Sequence, residues 1–322
     1  MLNFKTTCIL IISLLVLSID PPSVFGQSTS DQKAVLITGA TSGIGLKTAQ
    51  HLASKGHFVY AGARKDADME MLNEMENVMA VRLDVTKQDQ IDAAVETIRN
   101  EGRGLWGLVN NAGVAVIAPL AEVPEEDLHF QLNVNVYGVY RVTKAFAPLI
   151  IESKGRITTT GSISGILSGF FFGPYSMSKH AIEAFTDALA AEMQPFGVQV
   201  SVIEPGNYDS KIGDKVLAKI KSDPEFIENS MYKEQFESLL ERWDNGEREK
   251  DPQEVAEAFE RALFSDKPKR RYMVVPYEGQ GNYTIKQAMR EMLQLNQGQP
   301  YTMDRDELIK LMDEVQVEIE GN

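Results

Sequence analysis

The feature that most constrains this chain is a regular alternation of two kinds of segment. Short runs rich in Val, Ile and other apolar residues recur, and a longer segment with the apolar spacing of an amphipathic helix follows most of them. Strands that alternate with helices predict parallel pairing through helical crossovers, so we expect an α/β fold with a doubly wound parallel sheet of about seven strands. Strands are expected at Ala34–Thr38, Phe58–Gly62, Val78–Leu83, Gly107–Asn110, Arg156–Thr160, Val198–Ile203 and Tyr272–Val275. Helices are expected at Ile44–Lys55, Gln88–Asn100, Glu125–Glu152, Ser176–Gln194 and Pro252–Phe264.

Two further segments interrupt this alternation. Residues 207–250 carry many charged residues with apolar ones between them, and they predict a helical insertion after the sixth strand. Such an insertion lies over the carboxyl ends of the strands, where ligands bind in doubly wound sheets. Residues 277–322 predict a helical C-terminal extension. We therefore expect residues 27–322 to form one domain, with its core at residues 33–276.

Residues 1–26 differ from the rest of the chain. Lys5 precedes the apolar run Cys8–Ile19, which is followed by two prolines and Gly26. A cation, a short apolar run and a small residue are typical of a secretory signal, here with cleavage after Gly26. The alternative is an uncleaved N-terminal anchor that associates the chain with a membrane. The protein is thus expected in the secretory pathway or cell envelope, or anchored with its domain facing the cytoplasm.

Charge and cysteine content exclude several functional classes. The chain has 322 residues and a formal net charge of −14, and such an acidic surface repels nucleic acid. An anionic ligand must then be held by a local positive feature. The single cysteine is Cys8, and the four histidines lack metal-ligand spacing, so we expect no disulfide, no thiol nucleophile and no metal site.

A glycine-rich segment, TGATSGIG at residues 38–45, joins the first strand to the first helix. Glycines permit the tight turn and let backbone N–H groups approach a pyrophosphate, while the helix N-terminus supplies partial positive charge. The alternative is an ordinary tight turn, but the position directly after the first strand favours phosphate binding. We expect the cofactor to be lined here by Gly39, Thr41, Ser42, Gly43, Ile44 and Gly45.

The ends of the next strands add residues suited to the rest of a dinucleotide. Arg64 follows the second strand where an acidic residue would accept bonds from a ribose hydroxyl, and a guanidinium there pairs with a 2′-phosphate instead. We therefore expect NADP(H) to be preferred over NAD(H), the alternative being that Arg64 is a solvated loop charge. Asp84 and Val85 follow the third strand, and NNAG at residues 110–113 ends the fourth.

A tyrosine and a lysine stand four residues apart in GPYSMSK, residues 173–179. On a helix, Tyr175 and Lys179 share one face, and a nearby ammonium lowers the pKa of a phenol. Tyr175 is then suited to general acid and base catalysis, with Ser162, at the end of the fifth strand, bonded to the same substrate oxygen. We expect the amide of Asn135, on a long helix, to hold a water that connects Lys179 to solvent. For the tyrosine and lysine, the alternative is an ordinary helix surface.

In this order and spacing, TGxxxGxG, NNAG, the helix Asn, the Ser and YxxxK resemble the short-chain dehydrogenase/reductase family over Lys33–Pro276. VIEPGN and GPYSMSKHAIEAF look most similar to its hydroxysteroid and retinol dehydrogenase branch. The resemblance implies an NAD(P)-dependent oxidoreductase that interconverts a secondary alcohol and a ketone or aldehyde, and a homo-oligomer, either dimer or tetramer. Beyond the glycine loop, it implies a cofactor site formed by Arg64, Asp84, Val85, Asn111, Ala112, Gly113, Tyr175, Lys179, Pro205 and Gly206.

The resemblance also implies individual roles for the catalytic residues. Asn135 anchors a proton-relay water, Ser162 orients the carbonyl and Tyr175 transfers the proton. Lys179 binds the nicotinamide ribose and lowers the pKa of the tyrosine.

Apolar residues around this site suggest the substrate class. Phe170 lies between the serine and the tyrosine, and Tyr208, Ile212 and Val216 begin the insertion. We expect a lipophilic substrate, such as a steroid, retinoid or other lipid-like molecule, bound by Ser162, Phe170, Tyr175 and Tyr208. The alternatives are that the phenylalanines pack in the core or at a dimer contact, and that the chain is a non-catalytic NADP(H)-sensing protein.

Overall fold

The structure is a computed structural model that describes residues 32–244 and 250–321. The signal or anchor predicted for residues 1–26, its cleavage site after Gly26 and the single Cys8 lie outside the described residues. Within the described parts of the chain, every helix is too short or too polar to cross a membrane.

A seven-stranded parallel sheet forms the centre of the described residues, with the strand order β3-β2-β1-β4-β5-β6-β7. This confirms the doubly wound α/β fold. Between β1 and β4 the strand order reverses, and in such folds the carboxyl ends of the strands at this point open into a ligand crevice. The strands are β1 (Ala34–Ile37), β2 (Phe58–Ala63), β3 (Val78–Arg82), β4 (Gly107–Asn110), β5 (Arg156–Thr160), β6 (Gln199–Pro205) and β7 (Arg271–Val274).

Helices connect the strands, cover the ligand edge of the sheet and follow its last strand. The helices of the crossovers are α1 (Gly43–Ser54), α2 (Asp66–Asn73), α3 (Gln88–Asn100), α4 (Glu125–Leu132), α5 (Val139–Ser153) and α6 (Gly173–Met193). Those of the insertion are α7 (Lys211–Ser222), α8 (Pro224–Asn229) and α9 (Lys233–Asp244), and they are followed by α10 (Gln253–Phe264). The C-terminal extension is helical as predicted, with α11 (Glu278–Asn296) and α12 (Arg305–Gly321).

Two apolar cores lie on opposite faces of the sheet. Leu36 belongs to one and Ile37 to the other, because consecutive side chains of a strand point to opposite faces. Phe146 of α5 packs on the first face, and Phe259 of α10 packs on the second. Strands buried on both faces explain why their sequences are apolar throughout rather than alternating.

The structure differs from the predicted elements in two places that matter for the site. The helix expected at Glu125–Glu152 is interrupted by a π-helical segment, Asn133–Gly138, and π segments are frequent at functional sites. The helix expected from Ser176 begins at Gly173, so that Tyr175 lies in its first turn. Helix α2 was not predicted, because Leu72 is its only buried residue and its apolar periodicity is weak.

Candidate active site

The glycine loop adopts a conformation that requires its glycines. Gly39 and Gly43 have φ angles of +65° and +53°, in the left-handed region that favours glycine. At Gly45, a Cβ atom would lie 2.3 Å from Asn111 Nδ2 and 2.5 Å from the carbonyl oxygen of Gly39. The side chain of Ser42 does not cap helix α1, whose first turn faces the cleft. A ligand phosphate can therefore approach the backbone of this loop closely at the N-terminus of helix α1, an arrangement that favours phosphate binding.

Asn111 and Thr38 hold this loop against the end of β4. Asn111 Nδ2 donates to the carbonyl oxygens of Thr38 (3.0 Å) and Gly39 (3.2 Å). In return, Thr38 Oγ1 accepts the backbone N–H groups of Asn111 (2.9 Å) and Ala112 (3.0 Å). Thr38 was missed as a site residue, although its place as the first letter of the glycine motif was a usable signal.

Arg64 and Asp84 face each other at the far end of the cleft. Arg64 Nη1 lies 3.8 Å from Asp84 Oδ2, and the arginine side chain is 64% exposed. Asp84 also accepts bonds from the backbone N–H (2.9 Å) and the hydroxyl (2.7 Å) of Thr86, which fix the turn after β3. The guanidinium of Arg64 is thus accessible to solvent, and within the described residues it forms a loose ion pair with the carboxylate of Asp84.

A cleft of about 1010 Å³ runs from the glycine loop to the end of β5. It brings together almost all of the predicted site residues, and it leaves out only Asn135 and Phe170. Those that line it are Gly39, Thr41, Ser42, Gly43, Ile44, Gly45, Arg64, Asp84, Val85, Asn111, Ala112, Gly113, Ser162, Tyr175, Lys179, Pro205, Gly206 and Tyr208.

Ser162 and Tyr175 meet at the inner end of this cleft, where the Ser162 hydroxyl is close enough to lower the pKa of the phenol. Ser162 Oγ also accepts the backbone N–H of Ser164 at 3.1 Å, which fixes the serine side chain. Burial raises the pKa of Tyr175 above its usual value of 10.0, and the Ser162 hydroxyl lowers it by less. The pKa of Tyr175 is therefore raised overall rather than lowered as the sequence predicts, because burial of the phenol dominates.

Lys179 is buried one turn further along α6. Its Nζ donates to the carbonyl oxygen of Thr160 at 2.7 Å and lies 5.5 Å from the centroid of the Tyr175 ring. Burial lowers the pKa of Lys179 from 10.5 to about 8, and the charge of Glu183 opposes this shift. The lysine is therefore close to the tyrosine, but the low-dielectric site disfavours its charge.

Asn135 is buried and makes three hydrogen bonds to protein groups. It lies in the π segment, where its Oδ1 accepts the N–H of Val114 (2.9 Å) and its Nδ2 donates to the carbonyl of Val114 (3.0 Å) and to Ser178 Oγ (3.1 Å). Gln131 makes a similar set of bonds to Val116, Val114 and Ser178. The amide of Asn135 is thus bonded to Val114 and Ser178, and the water that it is expected to hold stays a prediction.

One of the predicted substrate contacts is corrected. Phe170 is 63% exposed and packs against Phe171 outside the cleft, with the ring planes tilted by 39°, while Phe172 lines the cleft in its place. Tyr208 lines the cleft as predicted, and its hydroxyl donates to Glu254 Oε2 at 2.7 Å.

The apolar wall of the cleft comes from the insertion, as predicted. Ile212 and Val216 of α7 and Leu239 of α9 line the cleft near Tyr175. Within the described parts of the chain, no group of three or more His, Cys, Asp or Glu residues is arranged to hold a metal ion.

Comparisons with known proteins agree with this architecture. A family model described as short chain dehydrogenase matches residues 33–221. The mitochondrial D-beta-hydroxybutyrate dehydrogenase of Bos taurus is 35% identical over 271 residues, covering 76% of this chain and 77% of the relative. The 17-beta-hydroxysteroid dehydrogenase type 6 of Homo sapiens is 35% identical over 253 residues, covering 74% and 80%.

A solved alcohol dehydrogenase from Thermococcus sibiricus, complexed with 5-hydroxy-NADP, is similar in fold. It has a TM-score of 0.62 and 26% identity, and the match covers 76% of this chain and 96% of that one.

Proposed function

Because this chain belongs to the short-chain dehydrogenase family, we propose that it is an NADP(H)-dependent oxidoreductase that interconverts a lipophilic secondary alcohol and its ketone. One observation carries the proposal. Ser162 and Tyr175 line the same cleft as the glycine loop, so a substrate oxygen between their hydroxyl groups would be next to a bound dinucleotide. Relatives named as dehydrogenases support the reaction class.

The cleft fits a nicotinamide dinucleotide. The left-handed backbone at Gly39 and Gly43 forms a tight turn into helix α1, and the absence of a Cβ at Gly45 lets the loop pack against Asn111. The first turn of α1 thereby borders the cleft, where a pyrophosphate would bind. Arg64 is exposed at the cleft edge, and the residue before it is Ala63 rather than an acid, which favours a 2′-phosphate. The bound cofactor would accept or supply the hydride. The NADP analogue bound to the Thermococcus sibiricus enzyme supports this preference, and NAD(H) is the alternative.

Tyr175 is the proposed proton donor in reduction and acceptor in oxidation. Burial raises its pKa, so the phenol keeps its proton near neutral pH and is ready to act as an acid. The Ser162 hydroxyl holds the substrate oxygen beside the Tyr175 hydroxyl. A protonated Lys179 favours the phenolate that remains after transfer, and Asn135 positions the segment at Val114, which lines the cleft.

A lipophilic substrate is supported by the wall above the tyrosine. Phe172, Ile212, Val216 and Leu239 all line the cleft, and they present apolar surface to a ligand beside Tyr175. The similarity to a 17-beta-hydroxysteroid dehydrogenase supports a lipophilic substrate. The similarity to a D-beta-hydroxybutyrate dehydrogenase supports a small polar hydroxy acid as the alternative substrate class.

A spectrophotometric screen tests the function. NADPH and NADH are each offered with steroid ketones, retinoids, long-chain aliphatic ketones and acetoacetate, and the loss of reduced-nicotinamide absorbance is followed. We expect turnover of an apolar ketone with NADPH. Turnover of acetoacetate alone would refute the lipophilic class, and tight NADPH binding without turnover of any carbonyl would favour the cofactor-sensing alternative.

Two further expectations stay proposals of the same kind. Residues 1–26 would direct the chain to the secretory pathway or cell envelope, or anchor it at a membrane, and N-terminal sequencing of the mature protein distinguishes cleavage from anchoring.

A homo-oligomer is supported by Phe130, Tyr137 and Tyr140, which are about half exposed on α4, the π segment and α5. Analytical ultracentrifugation measures its size.

A further inference from the structure

Two carboxyl groups that the proposed reaction does not use lie beneath the active site. Glu183 is on α6, one turn after Lys179, and its side chain is 14% exposed. Glu204 is on β6, and its side chain is 3% exposed. The two groups lie beside the same guanidinium, and the Oε1 atom of each is buried without a hydrogen-bond partner among the described residues.

One cation faces three carboxyl groups at this place. Arg271 Nε on β7 lies 3.0 Å from Glu183 Oε2 and 3.6 Å from Glu204 Oε1, while its Nη2 lies 2.7 Å from Asp187 Oδ2. Two buried carboxyl groups beside one cation disfavour each other's ionisation, so one of them keeps its proton. Burial, followed by the charge of Glu183, raises the pKa of Glu204 to about 8. Near neutral pH the proton is therefore on Glu204.

Glu183 is also packed against the segment that carries the catalytic serine. Gly161 and Gly165 flank this segment. A Cβ atom would lie 3.2 Å from Glu183 Oε1 at Gly161 and 2.9 Å from it at Gly165. The residue before Gly161 is Thr160, whose carbonyl oxygen holds the Lys179 ammonium at 2.7 Å. The charge of Glu183 raises the pKa of Lys179 against the effect of burial.

We propose that Glu183, beside a protonated Glu204, is a positioning residue that supports the Ser162 segment and keeps Lys179 charged. The inference rests on the proposed function, because Lys179 is assigned its role there. Glu183 follows Lys179 by four positions, and its charge acts on Lys179 rather than on the substrate.

The pH dependence of kcat/KM for carbonyl reduction tests this role in four proteins: wild type, Glu183→Gln, Glu204→Gln and Asp187→Asn. Removing the charge of Glu183 lowers the pKa of Lys179, so the alkaline limb of the Glu183→Gln profile should move to lower pH. We expect a shift of roughly one pH unit, the effect of one charge at ~10 Å with an effective dielectric constant of about 20. Glu204→Gln mimics the protonated partner and should leave the limb in place.

Asp187→Asn is the matched control, since it removes a carboxylate from the same arginine but at an exposed position. Its profile should overlay that of the wild type. A Glu183→Gln profile that overlays the wild type, or an Asp187→Asn profile displaced by as much as Glu183→Gln, would overturn the proposal. If Glu183→Gln does not fold, Glu204→Gln decides, because a displaced alkaline limb in that variant contradicts the assignment of the charge to Glu183.

Infrared difference spectroscopy gives a readout that does not need turnover. The wild type should show the C=O stretch of a protonated carboxyl group near neutral pH, and Glu204→Gln should lack it. Absence of this band from the wild type overturns the protonation of Glu204. If the wild type reduces no carbonyl compound, the proposed function fails, while this band still reports on the carboxyl pair.

Discussion

Replacing Lys179 by methionine should stabilise the protein near neutral pH. Methionine has a similar length and no charge, so it removes a buried ammonium with little change in volume. Burial lowers the pKa of Lys179 from 10.5 to about 8, a difference that corresponds to about 3 kcal/mol at about 1.4 kcal/mol per pKa unit. The carbonyl of Thr160 loses its donor, which costs about 1–2 kcal/mol. We therefore expect a net gain of about 1–2 kcal/mol in the free energy of unfolding.

This gain should depend on pH with a definite sign. Below about pH 8, Lys179 is charged in the folded and the unfolded protein, and the cost of its burial is complete. Between about 8 and 10.5 the folded protein loses this proton while the unfolded chain keeps it, so the wild type becomes more stable relative to the variant. The advantage of Lys179→Met is thus largest near neutral pH and disappears on the alkaline side.

Urea unfolding at several pH values measures the effect on the full chain. Lys55→Met is the control, because Lys55 is exposed at the end of α1 and its replacement should change the free energy of unfolding by less than about 0.5 kcal/mol. A Lys179→Met variant that is less stable than the wild type near neutral pH would refute the reasoning. So would a gain that is the same on both sides of pH 8.

Three further changes test the cofactor and proton-transfer assignments. Arg64→Asp should lower kcat/KM for NADPH by about 10–100-fold, since a charged contact contributes about 1.5–3 kcal/mol, and it should leave kcat/KM for NADH unchanged or higher. Steady-state kinetics with both cofactors measures this change. An unchanged preference for NADPH would contradict the assignment of Arg64 to the 2′-phosphate. Tyr175→Phe should lower kcat for reduction by about 10²–10⁴-fold while NADPH binding, followed by fluorescence, stays near the wild-type value. Gly45→Ala should weaken NADPH binding and stability together by about 1–3 kcal/mol, because its Cβ would lie 2.3 Å from Asn111 Nδ2. Gly279→Ala, where the nearest atom is 3.7 Å away, is the control and should be neutral.

Features that depend on local pattern could be predicted from the sequence. The strands are short apolar runs buried on both faces of the sheet, and the glycine loop is a contiguous motif whose backbone needs the residues that it contains. Both are encoded within a few neighbouring residues. Arg64 and Asp84 are also predictable, because each follows directly on a predicted strand and the carboxyl ends of parallel strands form one crevice.

Features that depend on tertiary packing could not be predicted in this way. Which of Phe170 and Phe172 faces the cleft is decided by a turn in which Phe171 has a φ angle of +68°, and apolar content alone does not encode that turn. The amide of Asn135 finds its partners only when the segment after β4 packs on the π helix. The pair of Glu183 and Glu204 joins a helix to a strand, and neither residue carries a local motif.

The same distinction explains why the tyrosine and lysine motif does not by itself produce a reactive phenol. In water the pKa values of the two side chains are 10.0 and 10.5, and an ion pair between them is accessible at moderately alkaline pH. Burial disfavours both charged forms, raising the pKa of Tyr175 and lowering that of Lys179 to about 8, so in the protein the neutral forms of both are favoured above this pH. The groups that oppose burial lie outside the motif: Ser162 lowers the pKa of the phenol, and Glu183 raises that of the lysine. The reactivity of this pair is therefore set by residues that the fold brings to it, and substitutions at those positions should change the pH dependence of the reaction without altering the motif itself.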